Sequence, residues 1–273
     1  MMKKYLKITA IVLVIALIGV FAACGGNETP KNNAPSSPDT QTTAPAAEKN
    51  EGELIMGTNA AFPPYEFVAD DGSYTGIDVE IATAIAEKLG KKLVVKDMEF
   101  DSLISAVENG VVDVVLAGLT VNEERLEKVN FSTSYAKGVQ VIIVKDGSEI
   151  ADVDGLEGKV IGVQAGTTGD IYCTGDFGQD NVKQFANGSL AVQALLNDQV
   201  DCVVIDNEPA KAFVAANDGL NILDTEYANE DYAAAIAKDN AELLESFNAA
   251  LAELTEDGTI DNIIGKYIKT DAE

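Results

Sequence analysis

The sequence contains neither tryptophan nor histidine, and Arg125 is its only arginine. The lack of histidine excludes Ser-His-Asp and Cys-His catalysis, the usual proton shuttle at neutral pH and most zinc sites. Its cysteines, Cys24, Cys173 and Cys202, are too scattered for a zinc ribbon or a Cys-x-x-Cys redox motif. We therefore expect no metal and no cofactor.

Basic and aromatic residues are also scarce. There are 19 basic against 45 acidic residues, a formal charge of −26. This excess repels phosphate backbones and anionic lipid surfaces, which argues against nucleic-acid binding. Aromatic residues make up 6 % of the chain and apolar residues 47 %, so an aliphatic core is expected. A chain of 273 residues suits two lobes, at ~100–200 residues per domain.

The N-terminus has the pattern of a secretory signal. In residues 1–23, lysines precede an apolar run from Ile8 to Ala23. A transmembrane anchor is the alternative, although the run is shorter than the ~18–20 residues that a spanning helix needs. Residues 27–52 contain no isoleucine, leucine, valine or aromatic residue, so we predict that 24–52 form a disordered tether.

From Leu54 onward, short Val- and Ile-rich runs alternate with amphipathic segments, which indicates an α/β fold with mainly parallel sheets. Strands are predicted at Leu54–Gly57, Leu93–Val95, Val111–Ala117, Val160–Val163, Val182–Phe185, Cys202–Ile205 and Tyr232–Ala237. Helices are predicted at Asp78–Leu89, Asp101–Asn109, Leu190–Asn197, Pro209–Ala216, Asn240–Thr255 and Ile260–Ile268, with another beginning at Thr168. We assign 53–143 plus 235–273 to lobe 1 and 144–234 to lobe 2, with a hinge that the chain crosses at least twice.

One internal match supports two related lobes. Val112-Asp113-Val114-Val115 corresponds to Val200-Asp201-Cys202-Val203, and each follows a predicted helix. The same alignment places Gly118 opposite Asp206, just beyond a strand's carboxyl end, where open α/β sheets bind ligands. A chance match of common strand residues is the alternative.

Arg125 is a candidate anion-binding residue. Its planar guanidinium can grip a carboxylate through two parallel hydrogen bonds, which lysine cannot reproduce. It follows Gly118-Leu119-Thr120, so a strand end with a hydroxyl is expected nearby. An ordinary surface arginine is the alternative.

Several ordered motifs across 53–268 resemble the polar amino-acid-binding proteins of bacterial ABC importers. The motifs are Asn59-Ala60-Ala61-Phe62-Pro63-Pro64-Tyr65-Glu66-Phe67, Gly76-Ile77-Asp78-Val79-Glu80, Ala117 to Arg125, Phe131-Ser132, Gly162 to Thr168 and Val200 to Asp206. The resemblance implies a two-lobed periplasmic-binding fold of type II, a monomer, and an ABC permease as partner. Phe21 to Gly26 resembles a lipoprotein processing box, which implies lipid attachment at Cys24 on the outer face of the cell membrane.

The resemblance also implies how the ends of a ligand are held. Arg125, Thr120 and the N–H of Thr168 would bind the α-carboxylate, at a helix N-terminus opened by the Gly166-Thr167-Thr168 segment. A plain strand-to-helix turn is the alternative for that segment. Asp206, with the carbonyl of Gly118, would bind the α-ammonium; the alternative for Asp206 is a helix N-cap.

Four more positions would contact the ligand side chain. Phe62 and Phe100 match residues that sandwich it, and plain core packing is their alternative. Asn59 and Gln164 match residues that read its tip. An amide donates and accepts hydrogen bonds, so glutamine, arginine, lysine or a cystine-like amino acid is the expected ligand.

Two rival functions remain open at this stage. An enzyme on the same scaffold, such as a dehydratase or lyase, would need a cleft acid or base, and we expect neither histidine nor a third cleft carboxylate there. A sensory lipoprotein would have the same sequence features as an importer component. Cys173 and Cys202 are either bridged or two small buried residues.

Overall fold

The computed structural model describes residues 52–269. The predicted signal sequence, the lipidation site and most of the predicted tether therefore lie outside the described residues. Among those described, no helix combines the length and apolarity needed to cross a membrane.

Strands and helices alternate along most of the chain. The strands are β1 Glu53–Thr58, β2 Ala61–Phe62, β3 Glu66–Val68, β4 Tyr74–Thr75, β5 Lys92–Asp97, β6 Val114–Val115, β7 Val129–Phe131, β8 Ala136–Lys145, β9 Ile161–Gln164, β10 Val182–Phe185, β11 Cys202–Asp206, β12 Leu220–Ile222, β13 Ala228–Tyr232 and β14 Ala235–Ala237. The helices are α1 Ile77–Lys88, α2 Leu103–Glu108, α3 Glu123–Lys128, α4 Thr168–Phe177, α5 Gly188–Leu196, α6 Asn207–Ala216, α7 Ala241–Glu256 and α8 Thr259–Tyr267. Short 3-10 turns lie at Phe100–Ser102, Asp154–Leu156 and Gln179–Asn181.

Two main sheets form the two lobes. The first has the order β5-β1-β6-β14-β7, and the second the order β10-β9-β11-β8-β12, with β13 also paired to β8. In the first sheet β14 runs antiparallel to both neighbours, and in the second β8 runs antiparallel to all of its partners. The predicted two-lobed α/β architecture is confirmed, and in each sheet the reversed strand follows a crossing from the other lobe.

The structure corrects the predicted lobe boundary. The analysis of the sequence placed 53–143 in lobe 1, but β8 pairs with β11, β12 and β13 of the second sheet. The first crossing therefore lies between β7 and β8, at 132–135. An apolar run such as 139–144 forms a buried strand in either lobe, and only its pairing partners decide which.

Two predicted strands also differ from the structure. The strand predicted over Tyr232–Ala237 is divided between β13 in the second sheet and β14 in the first, so the second crossing lies at 233–234. The strand predicted over Val111–Ala117 is paired only at β6, and its flanking residues bond outside the regular ladder: the N–H of Asp113 donates to Ile55 O, and that of Leu116 donates to Gly57 O.

Both sheets are buried on both faces, and side-chain alternation divides each strand between two clusters. In β1, Leu54 and Met56 pack beneath α1, α7 and α8, whereas Ile55 packs against α2. In β11, Val203 packs towards α5 and α6, whereas Cys202 packs against α4. Such two-sided burial explains why these strands are continuous apolar runs.

Cys173 and Cys202 are both free and fully buried in the cluster beneath α4. Burial raises the pKa of each thiol to about 12. They are therefore the small buried residues of the second alternative above.

Candidate functional site

One cavity lies between the lobes, with about 430 Å³ of atom-free space that includes open solvent. Residues of both lobes line it: Asn59, Phe62, Glu66, Phe100, Ala117, Gly118, Thr120, Arg125, Gln140, Gln164, Thr167, Thr168, Val204, Ile205, Asp206 and Tyr232. Every residue predicted to bind the ligand is among them. The structure thus brings these residues together, and their roles in binding stay predictions.

Arg125 occupies one end of this cavity and is 6 % exposed, so it is not an ordinary surface arginine. It lies in α3, whose N-cap Asn122 accepts a hydrogen bond from the Arg125 backbone N–H at 2.8 Å. Its Nη1 donates to Thr120 O at 2.7 Å, and its Nη2 donates across the cleft to Gly166 O at 3.1 Å. The Phe100 ring centroid lies 5.5 Å from the guanidinium carbon. Burial lowers the pKa of Arg125 from its usual value.

The N-terminus of α4 faces Arg125 from the second lobe. Thr167 caps this ten-residue helix by accepting a hydrogen bond from the N–H of Asp170. Asp170 in turn accepts one from the N–H of Gly166 at 3.0 Å, which fixes the preceding loop. Thr168 is buried, and its hydroxyl lies 3.4 Å from that of Thr120. A fixed guanidinium and a helix N-terminus are both groups that favour a carboxylate.

Asp206 lies at the end of a strand of the second lobe. Its geometry fits both a helix N-cap and a carboxylate that faces the cavity. It ends β11 and caps α6, because its Oδ1 accepts a hydrogen bond from the N–H of Glu208 at 3.3 Å. It also lines the cavity, where its Oδ2 accepts a hydrogen bond from the hydroxyl of Tyr232. The side chain is 1 % exposed, and burial raises its pKa to about 7. An ammonium group placed here would favour the charged carboxylate.

Gly118 has a φ of +52°. A Cβ atom at this position would lie 2.8 Å from the Phe62 ring. Glycine is therefore required both by the backbone conformation and by the close approach of this aromatic side chain.

Asn59 and Gln164 meet across the cleft. Gln164 Nε2 donates to Asn59 Oδ1 at 2.9 Å, and Asn59 Nδ2 donates to Met98 O at 2.9 Å. Both side chains are buried. The two predicted tip-reading amides are thus partly occupied by each other, and each retains further hydrogen-bonding capacity for a ligand.

Two buried carboxylates that the analysis of the sequence did not single out lie in or next to the cavity. Glu230 in β13 is 6 % exposed, and its Oε2 accepts hydrogen bonds from the Thr120 hydroxyl and Gln140 Nε2, both at 3.0 Å. Glu66 in β3 lines the cavity itself, whereas Glu230 contacts two of the lining residues. Neither stood out in the sequence, because 45 acidic residues give no local sign of which ones become buried.

Glu66 and Asp78 form a completely buried pair. Asp78 Oδ2 accepts hydrogen bonds from the N–H of Gly118 at 2.8 Å and the hydroxyl of Tyr135 at 2.7 Å, whereas Asp78 Oδ1 and both Glu66 carboxylate oxygens lack a hydrogen-bond partner among the described residues. Burial raises the pKa of Glu66 well above its usual value and that of Asp78 to about 6. Two neighbouring buried carboxylates repel each other, which favours the protonated form of the pair.

Comparisons with known proteins show the family and the fold of this chain. Residues 54–270 match the family model "Bacterial extracellular solute-binding proteins, family 3". The chain is 31 % identical over 227 residues to the L-cystine-binding protein TcyJ of Escherichia coli K12, with 82 % of this chain and 85 % of that protein covered. It is 32 % identical over 226 residues to the arginine-binding extracellular protein ArtP of Bacillus subtilis, with 81 % and 88 % covered.

The solved structures show the same architecture. A structure titled "An ancestral arginine-binding protein bound to glutamine" superposes with a TM-score of 0.77 at 41 % identity, covering 81 % of this chain and all of that one. The arginine-, lysine-, histidine-binding protein ArtJ of Geobacillus stearothermophilus superposes with a TM-score of 0.76 at 31 % identity, covering 81 % and 97 %.

Proposed function

The chain belongs to family 3 of the bacterial extracellular solute-binding proteins, and from this premise we propose that it captures a polar L-amino acid outside the cell. One observation carries the proposal. A buried guanidinium and a helix N-terminus occupy one part of an interlobe cavity, and a buried carboxylate occupies another part. These groups are complementary to the α-carboxylate and the α-ammonium of an amino acid.

The α-carboxylate would be bound by Arg125, Thr120 and the N–H groups at the start of α4 around Thr167 and Thr168. Two Arg125 nitrogens already donate to backbone carbonyls, and guanidinium has five donors, so others remain for a ligand. These backbone bonds fix the fork in advance, which reduces the entropy lost on binding.

The α-ammonium would be bound by Asp206 together with the carbonyl of Gly118. Phe62 and Phe100 would flank the side chain, and Asn59 and Gln164 would contact its tip. Glutamine, arginine, lysine and cystine-like amino acids are the proposed ligands. The names of relatives include cystine- and arginine-binding proteins, and one similar structure is titled as bound to glutamine.

Capture would proceed by lobe closure. Arg125 and Phe62 lie on the first lobe, whereas Thr168 and Asp206 lie on the second, so only a closed cleft presents all four to one ligand. Bonds from Arg125 to Gly166 and from Gln164 to Asn59 already join the lobes. A ligand that adds bonds to both lobes would shift the population further towards the closed form.

Delivery to an ABC permease follows from the family as the proposed next step. The basic and apolar N-terminus with Cys24 supports export and lipid anchoring at the outer face of the cell membrane, with the chain acting as a monomer. Globomycin treatment of expressing cells tests the anchor, because it blocks lipoprotein signal cleavage. Accumulation of an uncleaved, lipid-modified precursor is expected, and a Cys24→Ala variant is the control.

An enzyme on this scaffold is the second candidate, and buried carboxyls favour it. Asp206, with its pKa raised to about 7, has the proton affinity of a general acid or base. Incubating the protein with each amino acid and following the ligand by NMR tests this function. Turnover to a new product would favour the enzyme, and unchanged ligand would favour capture.

The direct test of capture is mass spectrometry of small molecules released by denaturing the purified protein, followed by a thermal-shift panel of the twenty amino acids. We expect a polar amino acid to be released and to stabilise the wild type. The folded Arg125→Ala variant should not respond to it. Stabilisation by leucine or valine above all polar amino acids would overturn the pocket assignment.

A further inference from the structure

The hydroxyl of Thr120 already has an acceptor within the protein. It donates a hydrogen bond to Glu230 Oε2 at 3.0 Å. A threonine hydroxyl has one hydrogen, and a carboxylate can only accept, so this bond uses the only donor that the side chain offers. The proposed function assigns the same hydrogen to the α-carboxylate of the ligand. The ligand carboxylate and the Glu230 carboxylate therefore compete for one donor.

Glu230 is fixed at this place by burial and by a second bond. It is 6 % exposed, and its Oε2 also accepts a hydrogen bond from Gln140 Nε2 at 3.0 Å. Its Oε1 is buried and has no hydrogen-bond partner among the described residues. Thr120 forms an isolated backbone bridge with Tyr232, just before the second crossing at 233–234. The bond from Thr120 to Glu230 thus joins the two lobes close to this crossing.

The charge of Glu230 acts on the guanidinium of the carboxylate site. Burial lowers the pKa of Arg125, and the charge of Glu230 is the largest influence in the opposite direction. Thr120 connects the two residues, because its backbone oxygen accepts from Arg125 Nη1 at 2.7 Å while its hydroxyl donates to Glu230. Glu230 therefore supplies the buried guanidinium with the kind of counter-charge that a ligand carboxylate would bring.

We propose that Glu230 is an internal stand-in for the ligand α-carboxylate, which holds the Thr120 hydroxyl and balances Arg125 until the ligand takes over the hydroxyl. This inference rests on the proposed amino-acid capture and adds to it a residue that lowers affinity. On binding, the Thr120 hydroxyl turns to the ligand, and Glu230 keeps its bond from Gln140. Burial and the charge of Glu230 raise the pKa of Tyr172 in α4, so this nearby phenol can serve as a new donor to Glu230.

Glu230→Gln tests the stand-in, because it keeps the size of the side chain and removes its charge. Amino-acid binding should become about tenfold tighter, since the ligand carboxylate no longer competes with a buried charge that also repels it. Titration calorimetry of the full chain measures the change, with whichever of glutamine, arginine, lysine and cystine binds the wild type most tightly. Unchanged or weaker binding in the folded variant would overturn the inference.

A double-mutant cycle with Thr120→Val separates competition for the hydroxyl from a general effect of charge. Burial raises the pKa of Asp206, and the charge of Glu230 adds to this rise, so Glu230→Gln would also favour binding of the α-ammonium. Valine has the shape of threonine without the hydroxyl, which leaves only such charge effects. The gain from Glu230→Gln should therefore fall to less than about threefold in the Thr120→Val background. An equal gain in both backgrounds would contradict the proposal.

Thr120→Val alone gives an answer even if Glu230→Gln does not fold. In the wild type the ligand gains a hydrogen bond that Glu230 loses, so the exchange is close to neutral. Thr120→Val should then weaken amino-acid binding by less than about threefold. A hydroxyl that donated to the ligand alone would add a charged hydrogen bond, whose loss costs about tenfold or more. A loss of that size would rule out the stand-in.

Asp231→Asn is the matched control. Asp231 is the next residue of β13 and carries the same charge, but it is exposed. Its removal should change ligand affinity by less than about twofold, as for a surface substitution. A gain as large as that of Glu230→Gln would show an effect of net charge, and the stand-in would be wrong.

The outcomes also separate this inference from the proposed function. If none of the four amino acids binds the wild type, amino-acid capture itself is wrong. If one of them binds and Arg125→Ala abolishes that binding, but Glu230→Gln brings no gain, capture stands and only the stand-in is wrong.

Discussion

The two lobes build their central strands from the same local arrangement. In the first, the N–H of Asp113 donates to Ile55 O at 2.8 Å, and Asp113 Oδ2 accepts from the N–H of Ile55 at 2.8 Å. In the second, the N–H of Asp201 donates to Val160 O at 2.8 Å, and Asp201 Oδ2 accepts from the N–H of Val160 at 2.7 Å. The internal sequence match therefore marks one reciprocal hydrogen-bonded pair that each lobe contains.

The lobes differ at the other ends of these strands. Gly118 ends the first unit with a positive φ, whereas Asp206 ends the second with a buried carboxylate that caps a helix. Both residues line the cavity. The shared ends hold the strands of each sheet together and the divergent ends face the cavity. On the proposed function, the chemistry of binding lies where the two lobes differ.

The largest effect on ligand affinity is expected at Arg125, a cavity residue of the first lobe that has no counterpart in the second. Losing a buried charged partner costs ~2–5 kcal/mol, so Arg125→Ala should weaken amino-acid binding by more than tenfold in calorimetry. Arg125→Lys keeps the charge but loses the planar guanidinium, so its ligand affinity should lie between those of the wild type and the alanine variant. An unchanged dissociation constant in the folded alanine variant would remove Arg125 from the carboxylate site.

Asp206→Asn tests the divergent end of the second lobe. Asparagine is also a good N-cap, so the melting temperature without ligand should stay close to that of the wild type. Amino-acid binding should weaken at least about tenfold, or ~1.4 kcal/mol, because the α-ammonium loses its anion. A collapse of the melting temperature with ligand affinity retained would make Asp206 a structural cap only.

Substitutions at Asp113 and Asp201, the residues of the shared strand ends, should lower stability and leave ligand binding unchanged. Asp113→Ala leaves a partly buried backbone N–H without its acceptor, at a cost of ~1–3 kcal/mol in the free energy of unfolding, whereas water can hydrogen bond to the N–H that Asp201→Ala frees. Asp113→Ala should cost more, because its bond is partly buried and that of Asp201 is exposed. Urea unfolding measures the difference. Both variants should bind ligand like the wild type; a selective loss of binding in either would break the comparison.

The smallest effect concerns pH. Burial raises the pKa of Asp78 to about 6 and that of Asp206 to about 7. The stability linked to these raised values is fully present below the unfolded-state pKa, and it is lost as pH rises through 6 and 7. The unliganded melting temperature should fall between pH 5 and 8. Asp206→Asn should reduce that fall by ~2–4 °C, the shift that about 1 kcal/mol produces in a protein of this size. If the melting temperatures of the variant and the wild type changed identically with pH, Asp206 would not contribute to the pH dependence of stability.

Local pattern was sufficient to predict much of the fold, and the resemblance to a known family supplied the cavity residues. The strand at Val182–Phe185 and the helix beginning at Thr168 agree with the structure, because each has a clear boundary in the sequence. The cavity residues were implied by the resemblance to a family, and the fold brings them together in one cavity.

Long-range pairing is what the sequence could not reveal. The strand β8 was placed in the wrong lobe, because the same apolar run satisfies either core. Gln140 and Glu230 join Thr120 in one hydrogen-bonded group only after three distant segments meet. Glu66 was quoted within a motif, yet its burial against Asp78 depends on the packing of α1 over the sheet.

The position of β14 has a consequence for the order in which the molecule can be completed. This strand lies between β6 and β7, and α7 and α8, which pack against α1, follow it at the end of the chain. During synthesis, the second lobe emerges as one uninterrupted segment, while the first lacks an internal strand until the last residues are made. The later-encoded lobe can therefore fold first, reversing the usual N-terminal-first order. Since Arg125 belongs to the lobe that waits, a chain interrupted before β14 would present Asp206 and α4 without a completed partner, and ligand capture would be restricted to full-length molecules.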